Sequence, residues 1–507
     1  MNQIKLLGNW SRNQNLNSIR FPFYKFFLYL EEALPRFFKI SLLWAIGLIV
    51  SLVFFSSQAK AWEINTHREL TEKAIEIVAS DLNTFLINNL GLEGGLNASV
   101  DGRTAKKWMI EGSEFEDDWP RFFRHFHEPI SNKGLAGVFD SSINWSLSSI
   151  GDQEWSWTDA REYYFKALTS PTKTERDKNW AKTFRALGQV MHLLQDSANP
   201  AHVRDDPHVL RDGLHDFMDR NSVASYSSAG IISPDSSMLE VAGAVRNEPF
   251  SNLFDRNVYH GSNPEVTLGV NVGITEYASA NFFSDDRIAG QNSPVPPFPS
   301  VAELIPAPAP SPYLTLARLG SAGFPGARVA RYTGNETLTQ FLNLEFDLLG
   351  KLRLDDVVYD AYARHLIPRA VGYSAAVLNY FFRGELKVVE QTYIVRAENL
   401  GGPFCNQTPA DDFGLLDLNV EIPVESNFIG TGYFYYDGSN EKRVLFAQFT
   451  IPRSDNEFFN DIINPAEIPN PVPWNLVLEG QAGPGALEPR AIISKTGLAE
   501  WHYACVH

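Results

Sequence analysis

The stretch KNWAKTFRALGQVMHLLQDSANPAH, residues 178–202, predicts a buried helix with polar side chains at its end. Apolar side chains recur there at helical spacing and predict one buried face: Phe184, Leu187, Met191 and Leu194. His192 and Asp196 are four residues apart, so they lie one above the other on a neighbouring strip. Pro200 should end the helix, and His202 follows it. An imidazole and a carboxylate at this spacing can be directed at one metal ion.

The pattern around this stretch predicts a mainly α catalytic domain with a C-terminal all-β, sandwich-like domain. Residues 62–385 should form the helical domain, interrupted at about 222–350 by an insertion with the proline-rich segments SPVPPFPS and PAPAPSP. Thr66 and Glu69 form a possible capping box that would start a helix at His67. A later helix should be kinked or split at Pro368. Residues 386–507 alternate as short strands, with a hairpin predicted at Asp437-Gly438.

The N-terminal segment, residues 1–61, has the features of a signal peptide. An apolar run over residues 40–55 is shorter than the roughly 20 residues of a spanning helix, and basic residues precede it, among them Arg20, Lys25, Arg36 and Lys39. Ala59 and Ala61 give the small-x-small pattern of a cleavage site directly before Trp62. We therefore expect a secreted or periplasmic protein that starts at Trp62, or a membrane-anchored one if the segment is not cleaved.

Composition limits the classes of function. The 507 residues carry a net charge of −17, which argues against a basic nucleic-acid-binding surface. An enzyme that meets phosphates through bound cations can still be acidic, because metal charge is absent from a sequence count. Cys405 and Cys505 can form a disulfide in an oxidising compartment or stay as two buried thiols, and the sequence leaves both open.

Further histidines and acids extend the candidate metal site. His215 and Asp219 repeat the four-residue spacing, and we prefer them to His208 and Asp212, which have the same spacing. Upstream, GSEFEDDWPRFFRHFHEP supplies His125 and three neighbouring acids, of which one would act at the metal: Glu116, Asp117 and Asp118. His127 lies on the same side if this segment is extended, and only one of the two histidines is needed. Nitrogen and oxygen donors without a nearby cysteine favour zinc.

Taken in order, these motifs resemble the superfamily of zinc-dependent phospholipases C and single-strand-specific zinc nucleases. Six separated motifs match in the family's order: Trp62 with His67, Gly112-Ser113 with Asp117, HFHEP, His192 with Asp196, Pro200 with His202, and His215 with Asp219. The resemblance covers about Trp62 to Asn221. It implies a mostly helical fold, a cleft with up to three zinc ions, and hydrolysis of phosphoric ester bonds.

The resemblance also implies a role for each matched residue. The amine and carbonyl oxygen of an N-terminal Trp62, together with His67, would hold one zinc ion. Asp196 would bridge it to a second zinc on His125 and His192. A third zinc would be held by a separate set: His202, His215 and Asp219. Asp117 would be a zinc ligand or the general base.

The substrate is less well determined by the motifs. Gly112-Ser113 and HFHEP are phospholipase-like, and a trailing β-domain would suit peripheral membrane contact, so phospholipid is favoured over nucleic acid. Asp219 stands where the phospholipases usually have glutamate, and the five-residue spacing from Trp62 to His67 is nuclease-like, so a single-strand nuclease or nucleotidase is the alternative. A secreted binding protein with a structural zinc centre is a third hypothesis. The headgroup, the oligomeric state and the role of the insertion stay open.

Overall fold

The structure is a computed structural model of the chain. It describes residues 64–505 apart from the segments 149–150, 208–212, 229, 241–245, 247, 289–295, 309, 322–326, 335–350, 385, 398–413, 422–427, 439, 452–458, 462–470, 483–487 and 500. Trp62, the apolar run at 40–55, His208, Asp212 and Cys405 lie outside the described residues, so the predictions made for them stay predictions.

Helices dominate the first part of the described chain. Their bounds are α1 Ile64–Asn88, α2 Ala105–Phe115, α3 Ser142–Leu147, α4 Trp157–Thr169, α5 Lys173–Asp196, α6 Pro200–Val203, α7 Gly213–Met218, α8 Val223–Ser227, α9 Ile274–Asn281, α10 Ala317–Ser321 and α11 Asp356–Phe381. Short 3₁₀ turns lie between several of them, including Arg121–Arg124 and Leu135–Gly137. Among the described residues, no helix is both long and apolar enough to span a bilayer.

The quoted stretch forms most of α5, to its end at Asp196, and the start of α6. Its predicted apolar face is fully buried: Phe184, Leu187, Met191 and Leu194 are each 0% exposed. A capping box between Thr172 and Glu175 begins the helix, because each side chain accepts a hydrogen bond from the backbone N–H of the other residue. The helix packs against α2, α4 and α11, so its polar strip also lies inside the protein.

Two glycines let α2 and α5 touch along their backbones. A Cβ atom built on Gly188 of α5 would collide with the carbonyl oxygen of Met109 and with Gly112 Cα. A Cβ on Gly112 of α2 would likewise collide with the carbonyl oxygen of Arg185. This close crossing brings the carbonyl oxygen of Ser113 to 2.6 Å from His192 Nδ1. Helix packing therefore positions one of the predicted ligands.

We expect Gly188→Ala to lower the free energy of unfolding by about 1–3 kcal/mol, since backbone atoms of α2 cannot move aside as a flexible side chain would. Gly320→Ala in α10 is the matched control, because a Cβ there would meet open space, and it should be neutral. Chemical denaturation of the two variants measures the difference. Equal stability would show that the two helices do not cross at Gly188 as described.

Two sequence predictions about helices are wrong in detail. The first helix does not begin at His67, because α1 already includes Ile64. The Glu69 carboxylate instead accepts hydrogen bonds from Val223 N–H at 2.8 Å and Ser222 Oγ at 3.0 Å, so it caps α8 rather than its own helix. Nor is the last helix split, because α11 runs through Pro368 without interruption. The alternative of a kink at Pro368 stays a prediction.

The chain after α11 is built from β-strands, which confirms the predicted α-then-β fold class. Their bounds are β7 Lys387–Ala397, β8 Gly414–Glu421, β9 Ile429–Asp437, β10 Arg443–Ile451, β11 Phe459–Asp461, β12 Val472–Ala482, β13 Glu488–Ala499 and β14 Trp501–Cys505. They form two four-stranded sheets with the orders β10-β9-β12-β13 and β11-β8-β7-β14. The predicted hairpin joins β9 and β10, where Asp437 pairs with Arg443.

The region predicted as an insertion contributes to the helical core. Besides α8, α9 and α10 it contains the strands β3 Leu304–Pro306, β4 Tyr313–Leu316 and β5 Arg328–Tyr332, which form a small sheet with β6 Leu352–Arg353. Its aromatic side chains Phe250, Tyr277 and Phe282 are 0% exposed within the same hydrophobic cluster as α5. A two-stranded sheet, β1 Ser99–Val100 with β2 Arg103–Thr104, precedes α2.

The β-region is anchored to the helical region through arginines. The backbone N–H of Arg443 donates to the carbonyl oxygen of Pro171 at 2.7 Å, and Arg176 Nη2 donates to that of Glu441 at 3.0 Å. Arg490 Nη1 lies 2.6 Å from a carboxylate oxygen of Glu162 on α4. Hydrogen bonds from charged groups are among the stronger polar interactions, so the Arg176 and Arg490 guanidinium groups add most to holding the two regions together.

Candidate metal centre

The predicted ligands come from separate parts of the chain that meet at the end of α5. His67 lies in α1, and His192 and Asp196 lie on one face of the last turns of α5. His202 lies in α6, which begins at Pro200 because the Asn199 side chain caps it. The four histidines, including His125, and Asp196 are each at most 1% exposed.

Asp196 is the centre of this cluster. Its Oδ2 lies 2.8 Å from His125 Nδ1, 3.1 Å from His192 Nε2 and 3.7 Å from His202 Nδ1. Its Oδ1 faces the other way and lies 3.3 Å from His67 Nε2. One buried carboxylate therefore points its two oxygens at two different groups of imidazoles. This is the arrangement that a carboxylate needs to bridge two cations.

The His67 ring is oriented by Gln195, which the sequence analysis did not single out. His67 Nδ1 lies 2.8 Å from Gln195 Oε1. The amide is fixed in turn, because its Nε2 donates to Thr71 Oγ1 at 3.0 Å and to Ser374 Oγ at 3.3 Å. An amide oxygen only accepts, so Nδ1 carries the proton and Nε2 presents a lone pair toward Asp196. A ligand histidine that donates its other N–H to a carbonyl is typical of metal sites.

Backbone carbonyl oxygens orient two further rings in the same way. His192 Nδ1 donates to the carbonyl oxygen of Ser113 at 2.6 Å. His125 Nε2 donates to the carbonyl oxygen of Glu116 at 3.2 Å. The remaining nitrogens, His192 Nε2 and His125 Nδ1, then face each other at 3.3 Å. Two lone pairs at that distance repel each other unless a cation lies beside them, either a proton or a metal ion.

The acidic residue at the centre is Asp117 by geometry. Its side chain is 3% exposed, and Oδ1 lies 3.7 Å from His125 Nδ1 and 3.6 Å from His192 Nε2. Among the described residues, neither carboxylate oxygen of Asp117 has a hydrogen-bond partner, and the same holds for His67 Nε2. Buried polar atoms are rarely left without partners, so these atoms fit a site that is completed by cations.

The two acids beside Asp117 are directed elsewhere. The Glu116 carboxylate accepts bonds from Arg121 Nη2 at 2.6 Å and from Trp145 Nε1 at 2.8 Å. Glu116 and Arg121 therefore form a buried ion pair that supports the segment carrying His125. The third acid of the sequence motif, Asp118, is exposed.

Three overlapping groups of donors result from this geometry. They are His67 with His192 and Asp196, Asp117 with His125 and His192, and His125 with Asp196 and His202; within each group the donor atoms lie within 4.8 Å of one another. The donors in these three groups are all nitrogen or oxygen, which suits zinc. The described residues therefore contain a His/Asp cluster that can hold metal ions, and His202 shares Asp196 with the others.

Burial and mutual charge shift the pKa values of these groups strongly. Burial raises the pKa of Asp117 to about 7 and lowers that of His192 to about 3. For His125, burial favours the neutral ring, but the Asp196 carboxylate outweighs it and raises the pKa to about 9. The pKa of Asp196 is opposed by burial yet lies well below its usual range, because the surrounding imidazoles favour its charged form. Protons thus occupy the positions that cations would take.

These shifts predict a steep pH dependence of metal affinity. Metal must displace a proton from His125 below pH 9, and a second one from Asp117 below pH 7. Each displaced proton weakens affinity tenfold per pH unit, so affinity should fall about 10-fold from pH 8 to 7 and about 100-fold from pH 7 to 6. Competition with a chelating dye measures this. In Asp117→Asn, metal binding between pH 7 and 6 should displace one proton fewer, so the affinity should change less steeply with pH. An unchanged pH dependence would contradict the raised pKa of Asp117.

We further expect Gln195→Met to weaken metal binding by about 10- to 100-fold, because the His67 ring loses the acceptor that fixes its proton. Gln189→Met is the matched control: Gln189 is also 0% exposed on α5, and its amide has no hydrogen-bond partner. Isothermal titration with zinc compares the two variants. A loss of affinity that is equal in both would assign the effect to packing instead of ring orientation.

The remaining predicted site residues stand apart from these groups. His215 is 6% exposed in α7, whereas Asp219 follows that helix and is exposed. Neither belongs to a group of three donors among the described residues, and residues 208–212 beside them are not described. The third zinc position and the ligand role of Trp62 stay predictions. His127 turns away from the centre, and its Nε2 lies 2.8 Å from Asp255 Oδ2.

Comparisons with known proteins give distant matches. No family model and no curated protein matches the chain. An alpha-toxin from Clostridium absonum aligns over 86% of this chain and 96% of its own, with 13% identity and a TM-score of 0.27. An alpha-toxin of Clostridium perfringens from an avian strain aligns over 86% and 97%, with 12% identity and a TM-score of 0.27. Sequence identity and TM-scores this low do not assign a function to the chain.

Proposed function

We propose that the protein is a zinc-dependent hydrolase of phosphoric esters, of the phospholipase C type. The observation that carries the proposal is the Asp196 carboxylate, with Oδ1 at 3.3 Å from His67 Nε2 and Oδ2 at 2.8 Å from His125 Nδ1. A carboxylate shared between two sets of imidazoles is suited to a pair of divalent ions. Paired ions are a recurring device of phosphoester hydrolysis. The order of the sequence motifs supports the same family.

The residues divide the work between holding the ions and moving a proton. Zinc at this site supplies Lewis acidity toward phosphoryl oxygens and lowers the pKa of water. Asp117 is the candidate for orienting and deprotonating that water, because its carboxylate lies beside His125 and His192. Glu116 cannot share this role while it is paired with Arg121.

Phospholipid is the favoured substrate. The phospholipase-like motifs around Asp117 and His125 support it, and so does the net charge of −17, which repels a polyanion such as single-stranded DNA. A nuclease or nucleotidase is the second candidate, since Asp219 and the spacing between Trp62 and His67 are nuclease-like. The proposed location is outside the cytoplasm after cleavage before Trp62.

Turnover with and without a chelator tests the proposal. The purified protein, with its N-terminus sequenced and its zinc content measured, is assayed on phosphatidylcholine, on single-stranded DNA and on a water-soluble phosphodiester. Release of a phosphorylated headgroup that stops with chelator and returns with zinc is the expected result. Chelator-sensitive cleavage of DNA alone would select the nuclease. Bound zinc without any turnover would support a secreted binding protein with a structural zinc centre.

A further inference from the structure

Aromatic side chains form a contiguous exposed surface beside the metal centre. We call it the aromatic patch and define it by five residues: Trp119, Phe122, Phe123, Val138 and Phe139. Trp119 is 57% exposed and Val138 is 79% exposed, and the three phenylalanines are half-buried. Single exposed apolar residues are ordinary, but a contiguous group of this kind marks an interaction site.

The rings of the aromatic patch are packed against each other. The Trp119 ring centroid lies 5.6 Å from that of Phe122 and 5.5 Å from that of Phe123. Phe122 and Phe123 are 4.2 Å apart, and Phe123 stacks on Phe139 at 5.1 Å with an interplanar angle of 3°. The stacking joins two loops, 119–123 and 134–139, into one surface. Trp119 and Val138 therefore project from a preformed base instead of a loose loop.

Both loops are tied to the segments that carry the candidate metal ligands. The first loop lies in the chain between Asp117 and His125. In the second loop, Ala136 N–H donates to Asp205 Oδ1 at 2.7 Å, three residues after His202. The aromatic patch therefore has a fixed position relative to the centre. A molecule that meets the patch is placed next to the candidate site.

Charge decides which kind of partner the patch fits. Two guanidinium groups at its edge are compensated: Arg121 pairs with Glu116 at 2.6 Å and Arg124 with Asp140 at 2.9 Å. The exposed Lys133 beside Gly137 and the exposed Asp118 next to Trp119 add one charge of each sign. The rim is therefore close to electroneutral, and the whole chain carries −17. A polyanion or an anionic bilayer gains little from such a surface, since binding to either depends on unpaired lysine or arginine.

The size of the patch argues against a second protein chain. Five partly covered side chains expose on the order of a few hundred Å² of apolar surface. A stable protein–protein interface buries roughly 800 Å² from each partner. Exposed tryptophan is, by contrast, a side chain that favours the headgroup level of a membrane.

We propose that the aromatic patch docks the protein on a surface of zwitterionic, electroneutral lipid, with Trp119 and Val138 entering the interface. The proposal rests on the proposed function, since it supplies the surface from which a lipid substrate would be drawn. It assigns the lipid contact to the helical region, whereas the sequence predicted it for the C-terminal domain.

Vesicle binding tests the proposal without relying on turnover. The zinc-depleted protein is sedimented with phosphatidylcholine vesicles, and Trp119→Ser and Val138→Asp should each weaken partitioning tenfold or more. Ile77→Ser on α1 is the matched control, because Ile77 is 44% exposed and lies away from the patch in sequence, and it should bind as the parent does. Brominated phosphatidylcholine should quench tryptophan fluorescence in the parent protein, and most of that quenching should be lost in Trp119→Ser.

The outcomes separate this proposal from the proposed function. Both patch variants should keep zinc content and turnover of a water-soluble phosphodiester within about twofold, while turnover on vesicles falls with binding. Unchanged vesicle binding in both variants would contradict the proposal that the aromatic patch binds lipid, even if the protein still hydrolyses the water-soluble phosphodiester. Vesicle binding that requires anionic lipid would also contradict the proposal. So would a result in which Trp119→Ser abolishes binding to single-stranded DNA but leaves binding to vesicles unchanged. Absence of any soluble turnover would refute the function, and the binding data would still decide the patch.

Discussion

Asp196→Asn should remove two of the bound zinc ions and nearly all turnover. The carboxylate oxygens face His67 on one side and His125 with His192 on the other, so a neutral amide weakens both positions at once. Removing one partner from a buried, charge-paired set costs roughly 3–5 kcal/mol. That corresponds to a loss of two to three orders of magnitude in metal affinity.

Metal analysis of the purified variant, with turnover on a soluble phosphodiester, measures the effect. Asp219→Asn is the matched control, since Asp219 is exposed and stands apart from the described donor groups, and it should lose one ion at most. The reverse order of zinc loss, or equal zinc content in the two variants, would show that Asp196 is not shared between ions.

An extra residue in front of Trp62, or retention of residues 1–61, should remove one zinc ion and most activity. The reason is chemical: a free amine can donate a lone pair to zinc, whereas an amide nitrogen inside the chain cannot. The cost of deprotonating an amine with a pKa of about 8 is on the order of 1 kcal/mol at neutral pH, small beside a zinc-binding free energy of roughly 10 kcal/mol.

The position of α1 makes this role geometrically feasible. Trp62 stands two residues before Ile64, the first described residue of α1, and two residues span at most about 7 Å. His67 lies one turn further along the helix. N-terminal sequencing and zinc content should be compared between the cleaved protein and a form with one added glycine. Full zinc content and activity in the extended form would refute the role of the tryptophan.

Local sequence rules were sufficient for the elements that depend on neighbours along the chain. The apolar period of residues 178–202 predicted α5 and its buried face, and the four-residue spacing of His192 and Asp196 placed both side chains on one strip. Strand alternation predicted the β-region and the β9–β10 hairpin. Local sequence rules failed where a distant group competes for a side chain. Glu69 caps α8 instead of α1, because Ser222 and Val223 contact it in the folded chain.

The family resemblance favoured Asp117 among three neighbouring acids but left the choice open, and packing distinguished them. Arg121 and Trp145 occupy the Glu116 carboxylate, and Asp118 is exposed to solvent, which leaves Asp117 beside the histidines. No local pattern encodes this choice, since it depends on where the 3₁₀ turn at residues 121–124 and the helix α3 bring their side chains.

By itself the sequence determined the donor types, their order along the chain and the helical period that puts His192 and Asp196 together, because these follow from covalent spacing. The tertiary structure decided which ring nitrogen faces the centre and that one carboxylate faces two groups of histidines. It also decided that Trp119 and Val138 project beside that centre. Those features depend on contacts between residues far apart in the chain, such as His67 with Gln195 and His192 with the carbonyl oxygen of Ser113, which exist only once the helices have packed.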